Sequence, residues 1–250
     1  TDCYKTSTND IIRQIRSTRM GVRYDVEGYT DAELMDLCKT NPDALTIEEL
    51  LFAATLFESM NDKLEVYQNA ARVHADDFRG YNNAGYCLMQ MGRETQAKEL
   101  FNQALAVERN KAVVNNVAAI KRREGDVDGA MKLLNEASGA GDEVNYNKGI
   151  ILIQKGDYSA AISNMGRNTT VNLALAKLLN DDANGAKTVL DNSGDESAVA
   201  SYIHAIACAR LGDGAGAKRH LTDALTKDGS LRDKAERDLE FRDVRDAIGM

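Results

Sequence analysis

Apolar stretches of helical pattern end again and again at a glycine along this chain. MQMGRETQA reaches it at Gly92, KRREGDVDGA at Gly125, IQKGDYSAA at Gly156 and ARLGDGAGA at Gly212. Five residues after each glycine stands an alanine: Ala97, Ala130, Ala161 and Ala217. Seven residues before each stands a small residue: Gly85, Ala118, Gly149 and Ala205. Nine after each stands a larger apolar residue: Phe101, Leu134, Met165 and Leu221. The stretch NLALAKLLNDDANGAKTVL keeps the offsets with Ala174, Ala186 and Leu190, but Asp181 takes the glycine's place.

This spacing predicts pairs of antiparallel helices repeated along the chain. Small residues at the two crossing points let the helices of a pair approach closely, and the larger residue fills the gap to the next pair. Glycine at the turn accepts the positive φ of a helix C-terminus. Asp126, Asp157 and Asp213, each just after its glycine, are the expected caps of the second helices.

The segment YNNAGYCLMQMGRETQAKELFNQALAVERN resembles a nearly complete tetratricopeptide repeat. Tyr81 stands at the bulky first-helix place, followed in the family's order by Ala84-Gly85, Leu88, Gly92, Ala97, Phe101 and Ala104. Arg109-Asn110 stand where the family has its closing proline. The upstream stretch TIEELLFAATLFESMNDKLEVYQNAARVHADD matches more loosely, through Tyr67 and Ala70. The resemblance implies an all-α fold, a right-handed superhelical α-solenoid of antiparallel helix pairs. About six units are expected over residues 44–227, the first degenerate and the fourth and fifth short. The array, with TNPDALTIEELLFAATL before it, is also similar to tetratricopeptide arrays of cell-envelope proteins in Bacteroides-type bacteria. That likeness implies a periplasmic or outer-membrane-associated location, with the cytoplasm as the alternative.

The ends of the array differ from its middle. Residues 228–250 are expected to form one amphipathic capping helix, with Ser230 as N-cap and Leu231, Ala235 and Leu239 on its apolar face. Residues 1–43 read as an N-terminal segment, either a strap across the protein's own groove or the remnant of an upstream domain. Thr30 with Glu33, and Thr46 with Glu49, form expected capping boxes. Before them Arg13, Arg16, Arg19 and Arg23 would share a helix face, although residues 19–26 also fit an alternating strand. Thr1 reads as the start of a mature or trimmed chain, with no signal peptide.

Composition narrows the function. The formal charge of −8 argues against nucleic acid, whose binding draws on basic patches. No apolar run reaches the roughly 18 residues of a membrane-spanning helix. Cys3, Cys38, Cys87 and Cys208 include no C-x-x-C pair, and Cys87 and Cys208 read as buried thiols. His74, His204 and His220 read as lacking a ligand partner at helical spacing, with His204 in a packing role, so no metal is expected. GDGAGAK (212–218) and NGAKT (184–188) only resemble phosphate loops, because an alanine separates glycine from lysine in each. The acidic turns DVDG and NDDANG lack the spacing of a calcium loop. No cofactor and no enzymatic activity are expected.

The remaining candidates are amides. Asn83, Asn116, Asn147 and Asn172 occupy the same place in four successive units, and Asn82 and Asn115 precede two of them. In the family this place resembles the concave side of the first helix. A ladder of amides, each both donor and acceptor, would read the backbone of an extended peptide. Tyr86, Met89, Gln90, Arg122, Arg123, Ile150 and Ile153 are expected beside it. The Lys/Asn/Arg carboxylate clamp of some family members is matched only in part by Arg79, Asn82 and Asn83. The expected function is thus a non-catalytic scaffold for a peptide or protein partner, with a possible homo-oligomer. The alternative is a spacer or assembly module whose groove is self-occupied.

Overall fold

The computed structural model describes residues 28–249. The arginines at 13, 16, 19 and 23, the alternating strand of residues 19–26, Cys3 and the first 27 residues of the strap expected over 1–43 lie outside the described residues. Among the described residues there is no β-strand.

A short helix α1 (Asp31–Thr40) and a 3-10 turn (Pro42–Ala44) lead into six helical hairpins. These are α2 (Ile47–Thr55) with α3 (Met60–Val73), α4 (Phe78–Gln90) with α5 (Glu94–Val107), and α6 (Lys111–Arg123) with α7 (Val127–Glu136). Then come α8 (Asp142–Gln154) with α9 (Tyr158–Met165), α10 (Val171–Leu179) with α11 (Ala183–Asp191), and α12 (Ala198–Arg210) with α13 (Gly214–Lys227). Each helix packs on its hairpin partner and on the next helix in the chain, and α6 also touches α8 while α10 touches α12. The result is a one-dimensional stack in which contacts stay between neighbours.

The turns follow from the backbone. Gly92, Gly125, Gly156 and Gly212 all have positive φ, as the spacing predicts. Asp181 adopts φ 60° in the fifth hairpin, the one positive-φ residue other than glycine among the described residues. The second helices of the third, fourth and sixth hairpins begin on aspartate caps: Asp126 accepts from Gly129 N at 2.9 Å, Asp157 from Ala160 N at 3.1 Å and Asp213 from Gly216 N at 2.8 Å. Asp182, in the acidic turn NDDANG, does the same for α11, accepting from Gly185 N at 2.8 Å. This geometry also accounts for the glycine-rich stretch at 212–216, whose residues turn the chain and cap α13.

The small and large residues are matched within each hairpin. The alanines at 97, 130, 161, 186 and 217 are fully buried. Where the large residue is leucine, at 134, 190 and 221, the crossing residue is alanine, at 118, 174 and 205. Where it is Phe101 or Met165, the crossing residue is glycine. A Cβ placed on Gly85 would lie 2.7 Å from the Phe101 ring, and one on Gly149 would lie 2.5 Å from Met165 Cγ. Side-chain volume is thus balanced pair by pair, as close packing demands.

Both expected capping boxes are present, Thr30 with Glu33 and Thr46 with Glu49. The C-terminal end departs from the expected single helix. It breaks into a 3-10 turn (Gly229–Leu231), α14 (Arg232–Arg237), a second 3-10 segment (Leu239–Val244) and α15 (Arg245–Ile248). Asp228, not Ser230, caps the first turn, accepting from Ser230 N at 3.0 Å. Leu239 is 78% exposed, whereas Phe241 is fully buried. The reason is docking: Tyr202 on α12 meets Phe241 edge-on at 5.7 Å and donates to Asp238 Oδ2 at 2.7 Å. Arg210 Nη2 pairs with Glu240 Oε1 at 2.7 Å. These anchors turn the chain at Asp238 and present Phe241 in place of Leu239.

Candidate functional site

The asparagines sit on the first helices α4, α6, α8 and α10, and the structure brings them together in a way the sequence did not suggest. Asn116 Nδ2 donates to Asn82 Oδ1 at 2.9 Å, across the gap from α6 to α4. Asn147 Nδ2 donates to Asn115 Oδ1 at 2.9 Å, from α8 to α6. Asn172 Nδ2 donates to the Tyr146 hydroxyl at 2.7 Å, from α10 to α8. Within α4, Asn82 Nδ2 donates to Asn83 Oδ1 at 3.1 Å.

One rule covers the three cross-helix bonds. The amide two residues before the crossing residue donates to the side chain one position earlier in the preceding unit. Tyr146 takes the acceptor's place in α8, and its hydroxyl does the same work. The series stops at α12, where Ile203 stands in the donor place. The amides therefore stitch consecutive first helices, and only their remaining capacity is open to a ligand. An amide has two N–H donors and a carbonyl with two lone pairs, so one bond leaves most of that capacity unspent. Asn115 is 9% exposed, and the other five are half-buried.

The flanking residues divide. Tyr86 is 46% exposed on α4 and Gln90 is exposed, but Met89 is buried in the hairpin core. Arg123 Nη1 is committed to Glu94 Oε1 at 2.6 Å, which leaves Arg122 as the free member of the two arginines expected beside the amides. Arg122, half-buried on α6, has no carboxylate within ion-pairing distance among the described residues. Burial, and then the neighbouring Arg123, draw its pKa below the ordinary arginine value. A guanidinium so placed stays charged at neutral pH and is poised for an acceptor. Ile150 and Ile153 are half-buried. Arg79 is occupied by Asp77 at 2.7 Å and Glu48 at 2.8 Å, so it offers no free end for a carboxylate clamp.

The histidines require a correction. His74 Nε2 donates to Leu45 O at 2.9 Å and is structural. His204, however, does have a partner at helical spacing, Cys208, one turn along α12. The fold adds His220 from α13, and the three ligand atoms lie within 4.8 Å of one another. The His-x-x-x-Cys spacing was visible in the sequence, but a search for paired histidines or paired cysteines passes over it.

With this geometry in view, the repeat can be placed. A family profile described as tetratricopeptide repeat matches residues 78–111, which span α4 and α5. The remaining hairpins extend the same architecture, and the fold as a whole is that of a tetratricopeptide-repeat solenoid. The chain is similar to the BBSome complex member BBS4 of Bos taurus, 24% identical over 149 residues, which is 58% of this chain and 28% of that protein. It superposes on a chain in the crystal structure of the APC/C hetero-tetramer Cut9–Hcn1 with a TM-score of 0.69 at 12% identity, covering 87% of this chain and 45% of that one. It also superposes on a tetratricopeptide repeat protein from Parabacteroides merdae with a TM-score of 0.58 at 12% identity, covering 87% and 91%. The matched stretch spans less than a third of the curated relative and less than half of the Cut9–Hcn1 chain. Tetratricopeptide-repeat folds in general mediate protein–protein interaction.

Proposed function

We propose that the first-helix face of α4, α6, α8 and α10 binds an extended segment of a protein partner. The amide series carries this reading. Asn82, Asn83, Asn115, Asn116, Asn147 and Asn172 are held in place by their bonds to one another and to Tyr146, and each keeps unspent hydrogen-bonding capacity. Groups fixed in advance lose little entropy when a ligand arrives. A backbone offers alternating N–H and C=O groups to such a surface whatever its sequence. Tyr86 adds exposed aromatic area and Arg122 an unpaired cation for a carbonyl or carboxylate of the partner. A location in the cell envelope rests on the sequence resemblance alone.

The test is photo-crosslinking from position 86 in the native host, followed by mass spectrometry. The expected result is a partner peptide captured by the wild-type face and lost when Arg122→Gln and Asn147→Ala are combined. Thermal melting of the same variant separates loss of binding from loss of fold. A partner that is captured equally well by the folded double variant overturns the reading.

A further inference from the structure

His204 presents an anomaly. It is 7% exposed, and its Nε2 has no hydrogen-bond partner among the described residues. Asp191 Oδ1 lies 3.3 Å away but off the line a hydrogen bond needs. A buried polar atom left unpaired costs about 1–3 kcal/mol, and native structures rarely leave one without a reason. The surroundings supply one. Cys208 lies one turn further along α12, fully buried. His220 reaches across from α13, its ring stacked on that of His204 with centroids 3.6 Å apart. Beside Cys208 Sγ stands Gly216, where a Cβ would come within 2.9 Å of the sulfur. The missing side chain leaves the sulfur room.

We infer that His204, Cys208 and His220 bind a zinc ion, with Asp191 as the fourth ligand. Two imidazoles, a thiolate and a carboxylate form a donor set that zinc takes in tetrahedral geometry. In such a site neighbouring ligand atoms are separated by about 3.3–3.8 Å, from bonds of about 2.0–2.3 Å. The His204–Asp191 distance already falls in this range, the three nitrogen and sulfur atoms need to close by about 1 Å, and the Asp191 carboxylate must swing toward Cys208 and His220 to complete the set. The two rings are stacked nearly parallel, 17° apart, so the half-buried His220 turns about χ2 to share the ion. In doing so its Nε2 gives up Arg219 Nη2, now 2.9 Å away. Asp191 keeps its other oxygen on Lys187, at 2.9 Å.

The charge balance fits this assignment. Burial, and then the facing His220, lower the His204 pKa to about 4, so its lone pair is free at neutral pH. Burial, followed by Arg219, lowers that of His220 as well. The thiol proton is held tightly by burial, and zinc displaces it to solvent as the Zn–S bond forms. The ion enters through a cleft of about 510 Å³ bordered by His204, His220, Ser201, Asp223 and Lys227. Because Asp191 ends α11 while the other ligands lie on α12 and α13, the ion fastens the fifth hairpin to the sixth. This site is separate from the amide face, and neither reading depends on the other.

The experiment uses the full chain, stripped with chelator and kept reduced with a phosphine. Zinc chloride is titrated by calorimetry, and cobalt(II) serves as a spectroscopic probe. The expected result is one zinc per chain, a rise in melting temperature, and a thiolate-to-cobalt charge-transfer band that Cys208→Ser abolishes. His220→Ala and Asp191→Asn should each weaken zinc by about tenfold or more, while His74→Ala leaves it unchanged. Cys208 is buried, so His220→Ala, at a half-buried position, keeps the test valid if Cys208→Ser fails to fold. The inference is overturned by a folded wild-type chain that takes up no zinc, by a cobalt spectrum without the thiolate band, or by affinity that His220→Ala does not change.

Discussion

The matching of Gly85 with Phe101 can be tested quantitatively. In Gly85→Ala the new Cβ would lie 2.7, 2.9 and 3.2 Å from three atoms of the Phe101 ring. Carbons sit comfortably at about 3.5 Å or more, so the ring must retreat by about 0.8 Å. Phe101 is fully buried, packed in one core with Val113 and Ile120 of the next hairpin, and has little space to retreat into. Overpacking of this kind costs about 1–3 kcal/mol, offset by about 1 kcal/mol from replacing glycine with alanine inside a helix. A net loss of about 0–2 kcal/mol follows. Phe101→Leu alone should cost about 1–3 kcal/mol through the space it leaves. The double variant recreates the Ala-Leu pairing found at Ala118 with Leu134 and at Ala205 with Leu221. It should be no less stable than Phe101→Leu, a coupling of about 1 kcal/mol or more. Urea melts followed by circular dichroism, with hydrogen exchange of the α4 and α5 amides, give the four stabilities. If the two single losses simply add to within about 0.5 kcal/mol, the volumes are not matched as described.

Three further outcomes follow from the structure. Asn116→Ala should lower stability by about 1 kcal/mol, and adding Asn82→Ala should cost less than it does alone, because the shared bond is already gone; a double-mutant cycle in urea measures this. Phe241→Ala should cost about 3–5 kcal/mol, whereas Leu239→Ser should stay within about 0.5 kcal/mol, as thermal melts will show. Acid should weaken the fold through the cap aspartates. Lys121, then the Gly129 N–H, hold the Asp126 pKa below its ordinary value, and Lys177, then the Gly185 N–H, do so for Asp182. A lowered folded-state pKa stabilises above the unfolded value of about 3.9 and is lost as pH falls through the folded one. Melting temperature should therefore drop as pH falls below about 4, and the drop should be smaller in Asp126→Asn with Asp182→Asn.

The repeat was legible in the sequence because its signals are local. A positive-φ turn needs glycine, or at a cost aspartate, and a helix crossing needs a small residue, so Gly92, Gly125, Gly156, Gly212 and Asp181 marked the hairpins directly. The amide bonds were not legible. Asn116 and Asn82 lie 34 residues apart, and only the stacking of α6 on α4 brings them within reach. At the C-terminus, four-residue periodicity favoured Leu239, but the docking of Phe241 against Tyr202 overrode it. The cluster of His204, Cys208 and His220 was half legible: Cys208 follows His204 by one helical turn, while His220 joins them only after the chain reverses at Gly212.

The pairing of Gly85 with Phe101 and Gly149 with Met165 also bears on how such a chain can be rearranged during evolution. Because Gly85 and Phe101, or Gly149 and Met165, belong to one hairpin, an exchange that cuts between hairpins carries both along and preserves their fit to each other. One that cuts at a turn glycine would join an alanine-bearing first helix to a phenylalanine-bearing second, and the product would begin with a steric fault. The heritable module is therefore the whole hairpin, bounded at the links such as residues 108–110.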